Sequence, residues 1–309
     1  MSEEKSGSFL NKPRKHMEQE NFLYQPSGKI GPLAWVIFAI EALLVLPFIS
    51  ILYSLLIWYI PIIYLNILVV VAFGIVMGVG TYPIVRFGKV RGKSKELMFG
   101  ALLWVFGMYF QWAAYITILF GLDDNSHALD PGSFSFSNFT FLLLHPGELW
   151  AFITDLSTFG AWEISGGTVK GTMLWVIWIL EAGILLAGAL VSPRGWSKLP
   201  FSEHSNQWYT RHKLPQRLVL HRGVAKFEEG IKNQDLSELG AAARVDSAAA
   251  EYTELVVFEA PEEQDAYLAF YMRWMETDNK GNKNYKYERI GEFYHLTPEM
   301  HQALRVGFA

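Results

Sequence analysis

From Gly31 to Val85 the chain is apolar almost throughout, broken mainly by Glu41, Asn66 and a few prolines and glycines. A bilayer core of about 30 Å takes about 20 apolar residues per helix. The run is too long for one crossing and suits two. The pattern predicts spans at about 32–55 and 61–85, with Pro32 in a first helical turn and Pro47 as a kink. Further apolar windows at about 97–122 and 171–191 predict a third and a fourth span. Within the second, Gly74 and Gly78 stand four apart, a spacing that lets helix backbones pack closely.

The polar segments orient these spans. Arg86, Lys89, Arg91, Lys93 and Lys95 crowd ten residues between the second and third spans. Lys- and Arg-rich loops stay on the cytoplasmic side, and such a loop can also meet anionic headgroups. The N-terminal tail (1–30) and the segment after the fourth span are also basic. The loop at 123–170 is acidic, with Lys170 as its one basic residue. Both termini are therefore expected inside, with that loop outside. Its middle is too apolar to be free, and Pro146 to Asp155 reads as an interfacial helix. The tail holds no signal-peptide core, so the first span is expected to remain as an anchor.

Beyond the spans the periodicity changes. A linker and helix are expected over 193–250, then a module over 251–309. Leu255–Phe258, Tyr267–Thr277 and Asn284–His295 alternate with period two, and Asp278 to Gly281 carries hairpin chemistry. The expected fold is a membrane all-α four-helix bundle (31–192, termini inside). A small cytosolic α+β domain with an antiparallel three-stranded sheet follows it.

Composition narrows the chemistry. The chain has 309 residues, no cysteine and a formal charge of −4. Disulfides, thiolate metal sites and a Cys nucleophile are excluded. No phosphate loop, nucleophile elbow or zinc-protease motif appears. His204 and His212 do not make a closed metal site. No enzyme, cofactor, metal or nucleic-acid role is expected.

Two carboxylates stand out. Trp35-Val-Ile-Phe-Ala-Ile-Glu41-Ala42 in the first span matches Trp175-Val-Ile-Trp-Ile-Leu-Glu181-Ala182 in the fourth. The two spans run in opposite directions, as in the inverted repeats of many transporters. Each glutamate lies about 10 residues into its helix, near the midplane at about 1.5 Å per residue. An ionisable group there costs at least ~2.5 kcal/mol on insertion scales. Glu41, Glu181, Gln111 and Asn66 form the candidate polar site.

The main functional expectation is a bacterial inner-membrane subunit, sensor or adaptor presenting a protein-binding module. Its expected partner face holds Tyr271, Trp274, Tyr285 and Tyr287. The alternative is a small oligomeric transporter or channel using Glu41 and Glu181, with Gly74 and Gly78 as the contact between copies. A third reading places lipid chemistry at His145, Glu148 and Asp155. Membrane lipids, another membrane or cytosolic protein, and a second copy are the expected partners.

Overall fold

The computed structural model describes residues 22–60, 62–121, 131–164, 167–191, 195–219, 224–245 and 251–308. The chain forms two compact units. One is Ser27–Lys198, and the other joins the N-terminal residues up to Pro26 with Leu199–Ala309.

The first unit holds four helices long and apolar enough to cross a membrane: α1 (Pro32–Tyr59), α2 (Ile63–Phe87), α3 (Lys93–Phe120) and, later in the chain, Thr172–Ala189. Their outer faces carry large bare hydrophobics, such as Phe48 at 71% exposure and Ile179 at 66%. In water that surface would be unfavourable; in lipid it needs no cover. The interior is a single apolar cluster of side chains such as Phe73, Phe99, Leu103 and Leu185.

Pro47 does not break α1. The helix widens into a π segment at Glu41–Val45, where the Leu46 amide reaches back to the Glu41 carbonyl. Pro47 has no amide proton to offer Leu43, and the wider turn absorbs the missing bond.

Between α3 and the last span the expected single interfacial helix is two: α4 (Phe136–Leu144) and α5 (Pro146–Phe159). Ser135 caps α4 by accepting from the Asn138 amide, and Pro146 opens α5, where its missing amide costs nothing. The short strands β1 (Trp162–Ile164) and β2 (Gly167–Val169) follow and pair. Helix α6 (Thr172–Ala189) is the last span. The acidic residues Asp123, Asp124 and Asp130 lie outside the described residues.

The second unit departs from expectation. Its main sheet has five strands, not three. After a small hairpin of β3 (Phe201–Ser202) and β4 (Gln207–Trp208) comes β5 (Thr210–Leu218). Two short helices, α7 (Ala225–Lys232) and α8 (Ser237–Ala241), replace the one long helix expected there. Then follow β6 (Arg244–Val245), β7 (Tyr252–Glu259), β8 (Ala266–Thr277), β9 (Lys283–Leu296) and helix α9 (Pro298–Gly307). The order is β6-β5-β7-β8-β9, every pair antiparallel.

Two segments were misread for physical reasons. Strand β5 reads as a polar linker with Pro215 inside. The ladder with β7 shifts register between Lys213 and Arg217. A proline is tolerated where a bulge interrupts the ladder. Phe22–Tyr24, read from sequence only as part of the basic tail, lies along β9. The Tyr24 amide donates to Phe293 O and the His295 amide to Phe22 O, each at 2.9 Å.

One sheet face packs against α7, α8 and α9 through residues such as Leu255, Phe270, Ile231, Leu239 and Leu304. Thr297 caps α9 by accepting from the Met300 amide. The other face carries only a smaller cluster around Val256, Phe258 and Phe293, joined by Tyr24, Leu199 and Tyr209.

Candidate functional site

The two membrane glutamates do not share a site. Glu181 accepts a hydrogen bond from the Tyr53 hydroxyl. Tyr53 lies 12 residues beyond Glu41 on the same helix, about 18 Å along the axis. Glu41 instead points its Oε2 toward Gly80 on α2, 3.7 Å from where a Cβ would stand. Glu41 therefore sits where the glycine leaves room, and Glu181 where a tyrosine supplies a proton donor. The matched sequences around them meet unlike neighbours as well. Trp35 packs on Phe99, and Trp175 on Trp178 and Trp150.

Tyr53 is the residue that sequence reading missed. It is buried at 3% exposure, and its ring stacks on Phe73 with centroids 4.5 Å apart. One position on, the Ser54 hydroxyl donates to Ser50 O at 2.9 Å and to Gln111 O at 3.1 Å. Gln111 thus belongs to a buried α1–α3 contact that also holds the Ser50 hydroxyl, itself without a hydrogen-bond partner among the described residues. Asn66 is in the first turn of α2, and its Oδ1 is likewise buried without a partner among the described residues. The four expected residues are spread over separate contacts.

Gly74 and Gly78 face α6 of their own chain. A Cβ at Gly78 would fall 2.5 Å from the carbonyl oxygens of Gly188 and Val191. One at Gly188 would fall 2.7 Å from Gly74 Cα. This close approach is made within the chain, so the pair is not a free contact for a second copy. Helices α3, α5 and α6 enclose an open apolar groove of about 410 Å³, walled by Trp112, Trp150, Trp175 and Trp178. Trp104 on α3 donates its indole N–H to Ala182 O at 3.0 Å.

The basic loop is partly absorbed into structure. Arg86 lies over the Trp196 ring at 4.7 Å and donates to the Tyr82 hydroxyl. Arg91 is only 6% exposed. Lys93 pairs with Glu96 at 3.3 Å, and the buried Glu96 also accepts from the Ser197 hydroxyl. Lys89 has φ of 53°, and it and Lys95 are partly exposed. The loop is also bonded to both other basic segments. The Arg91 amide donates to Lys29 O at 3.0 Å and the Gly92 amide to Ser197 O at 2.8 Å. Residues 29, 91–92 and 197 therefore meet at one end of the four helices.

Between α4 and α5, His145 stacks on Phe141 with centroids 4.2 Å apart. Among the described residues no cluster of His, Asp and Glu suits a metal ion.

In the second unit the ladders sort the expected partner face. Tyr271 pairs with Arg289, Arg273 with Tyr287 and Met275 with Tyr285, so these six share a face. Trp274 pairs with Lys286 and falls on the other. A period of two separates positions 271 and 274, so Trp274 does not belong with the three tyrosines.

The tyrosine face is also a cation face. Tyr271 and Tyr287 stack with centroids 5.1 Å apart and planes 12° from parallel. Arg211 lies 4.4 Å over Tyr271, Arg273 4.2 Å over Tyr285 and Arg217 4.3 Å over Tyr252. Glu254 accepts from Lys213 at 2.7 Å and from the Tyr287 hydroxyl at 3.0 Å. Burial pushes its carboxyl up, but these bonds and the Lys213 and Arg211 charges outweigh that and hold it below the usual range. The Tyr271 hydroxyl is pushed up by burial, against the pull of Arg211 and Arg289.

Arg211, Lys213 and Arg217 could not be placed by sequence, because β5 was not read as a strand. The alternation Tyr271, Arg273 and Tyr285, Tyr287, Arg289 was the available signal. The chain matches no family model, and no curated protein or solved structure shows significant similarity to it.

Proposed function

We propose that this protein is an integral subunit or adaptor of a bacterial inner membrane, with four spans and both termini inside. It presents its C-terminal unit to a protein partner in the cytosol. The observation that carries this reading is the half-open sheet. One face is closed by helices, while the other exposes Arg211, Lys213, Tyr285 and Tyr287. Tyrosine and arginine are the side chains enriched in protein interfaces and their hot spots.

The topology follows from the basic segments that meet at one end of the spans. Positive loops stay in the cytoplasm, so the loop around Arg91 sets that end inside. The absence of cysteine allows a clean test. Ser94→Cys and Lys280→Cys should resist a membrane-impermeant maleimide in intact cells, while Ser133→Cys should react. Labelling of Lys280→Cys would overturn the orientation. Purification in mild detergent should then recover a protein at fixed stoichiometry. Recovery of the bare chain alone would overturn the adaptor reading.

This reading is preferred to transport because Glu181 is bonded to Tyr53, 12 residues beyond Glu41 on the same helix, while Glu41 faces Gly80. A shared proton or cation site needs them within a few ångströms.

A further inference from the structure

We infer that the open sheet face binds an acidic protein segment. This rests on the adaptor reading and names the chemistry of its partner. The face carries Arg211, Lys213, Arg217, Arg273, Lys283 and Arg289. Of the nearby carboxylates, Glu254 is buried and already taken by Lys213 and Tyr287, and Glu292 pairs with Arg289 at 3.5 Å. The chain as a whole is acidic, with a formal charge of −4. Six cations thus gather on this face of a net-acidic chain, and complementary charge steers and orients a partner.

The cations are held, not loose. Each of four arginines lies over an aromatic ring, with Arg289 over Phe293 at 4.1 Å completing the set. A guanidinium laid flat on a ring keeps edge N–H groups for a planar carboxylate. Its rotamer is fixed before the partner arrives, which removes part of the ordering cost of binding. The rings themselves offer apolar area between the charges.

These features favour protein over lipid. Lipid-directed basic segments are clusters of Lys and Arg that act as point charges at a surface, without fixed geometry. Here arginine outnumbers lysine, and stacking sets the spacing.

The test uses the full chain in nanodiscs of phosphatidylcholine, with fluorescent oligo-glutamate as probe and oligo-lysine as control. Oligo-glutamate should bind saturably and weaken as salt is raised. Arg211→Gln with Arg273→Gln should weaken binding by about tenfold, as expected for losing charge-assisted pairs. Lys283→Glu, an exposed change near the hairpin end, should weaken it about threefold. Glu254→Gln should tighten it by a similar factor, since it removes the opposing carboxylate. Lys286→Gln, on the other face, should change nothing. Thermal melts by circular dichroism confirm that each variant is folded.

No saturable binding, equal binding of oligo-lysine, or indifference to the Lys283 and Glu254 changes would overturn the inference. So would docking of the face onto phosphatidylglycerol nanodiscs that oligo-glutamate does not compete away. If a purified partner is recovered and oligo-glutamate fails to displace it, this inference fails and the adaptor reading stands. If no partner is recovered and no peptide binds, both fail.

Discussion

The two units solve the same problem, bringing chain segments together, with opposite materials. In the membrane unit α2 and α6 touch through Gly74, Gly78 and Gly188, where side chains are absent. In the sheet unit contact is built from large, charged and aromatic side chains such as Arg211, Tyr271 and Tyr287. The surroundings explain the difference. Lipid gives apolar side chains no reason to leave it, so helices gain by close backbone packing. Water rewards burial of aromatic area and lets long cations lie along it with their charged ends wet. Polar groups follow the same division. Inside the spans the Tyr53 hydroxyl bonds a single carboxylate, whereas on the sheet Glu259 gathers Arg305 and His301 together.

The sharpest way to break this comparison is to put a side chain where the membrane unit has none. Gly188→Leu should destabilise by more than about 3 kcal/mol, because backbone atoms on α2 cannot yield as side chains do. Fluorescence-detected size exclusion after heating would show it as loss of the monodisperse peak. Gly183→Leu on the same helix is the control, with nothing within 4 Å of its built Cβ, and should be tolerated.

Next comes the intramembrane hydrogen bond. Tyr53→Phe keeps the stack on Phe73 but leaves Glu181 without its donor. A loss of about 1–3 kcal/mol is expected, read as a lower melting temperature in detergent. Glu41→Gln has no such partner to lose and should change stability less. Equal losses would contradict the separation of the two carboxylates.

The sheet unit makes a pH-dependent prediction. Burial pushes the Glu259 carboxyl up, but hydrogen bonds and charge from Arg305 and His301 outweigh it and hold it below its ordinary value of 4.5. A depressed carboxylate contributes stability that is present above the unfolded value and lost as pH falls through the folded one. Glu259→Gln should therefore cost about 1 kcal/mol at neutral pH, given the exposure of Arg305. The cost should shrink as pH falls below 4.5 and vanish once the folded carboxyl, held lower, is protonated. A cost that persists unchanged in acid would show packing, not charge, at work.

The smallest effect is expected at the basic end of the four long helices. Arg86→Gln removes the cation from the Trp196 ring, and about 0.5–1 kcal/mol should go with it. A melt in detergent, compared with Arg86→Lys, would separate charge from the planar stack.

How much was legible depended on how local the signal was. The four long apolar helices were located to within a few residues at most ends, because hydropathy over one window needs no partner. Strands β7, β8 and β9 were read from alternation for the same reason. Strand β5 was not, because Thr210 to Leu218 has few apolar residues and takes its form from pairing with β7. The candidate site fared worse. Glu41 and Glu181 were recognisable as costly residues, but the sequence holds nothing that says which tyrosine one meets or that the other faces a glycine. Trp274 was grouped with the tyrosines by composition, although the period of two already separates positions 271 and 274, and the ladder with β9 puts it on the other face.

By itself, then, the sequence determined which segments suit lipid, which end carries the positive charge, and where alternating strands run. Those are properties of short windows, governed by transfer energies and local periodicity. The tertiary structure alone decided the pairing of Tyr53 with Glu181, the packing of Gly78 on Gly188, and the gathering of six cations on one sheet face. Such contacts join residues far apart in the chain, and their energies depend on register and on what each side chain displaces.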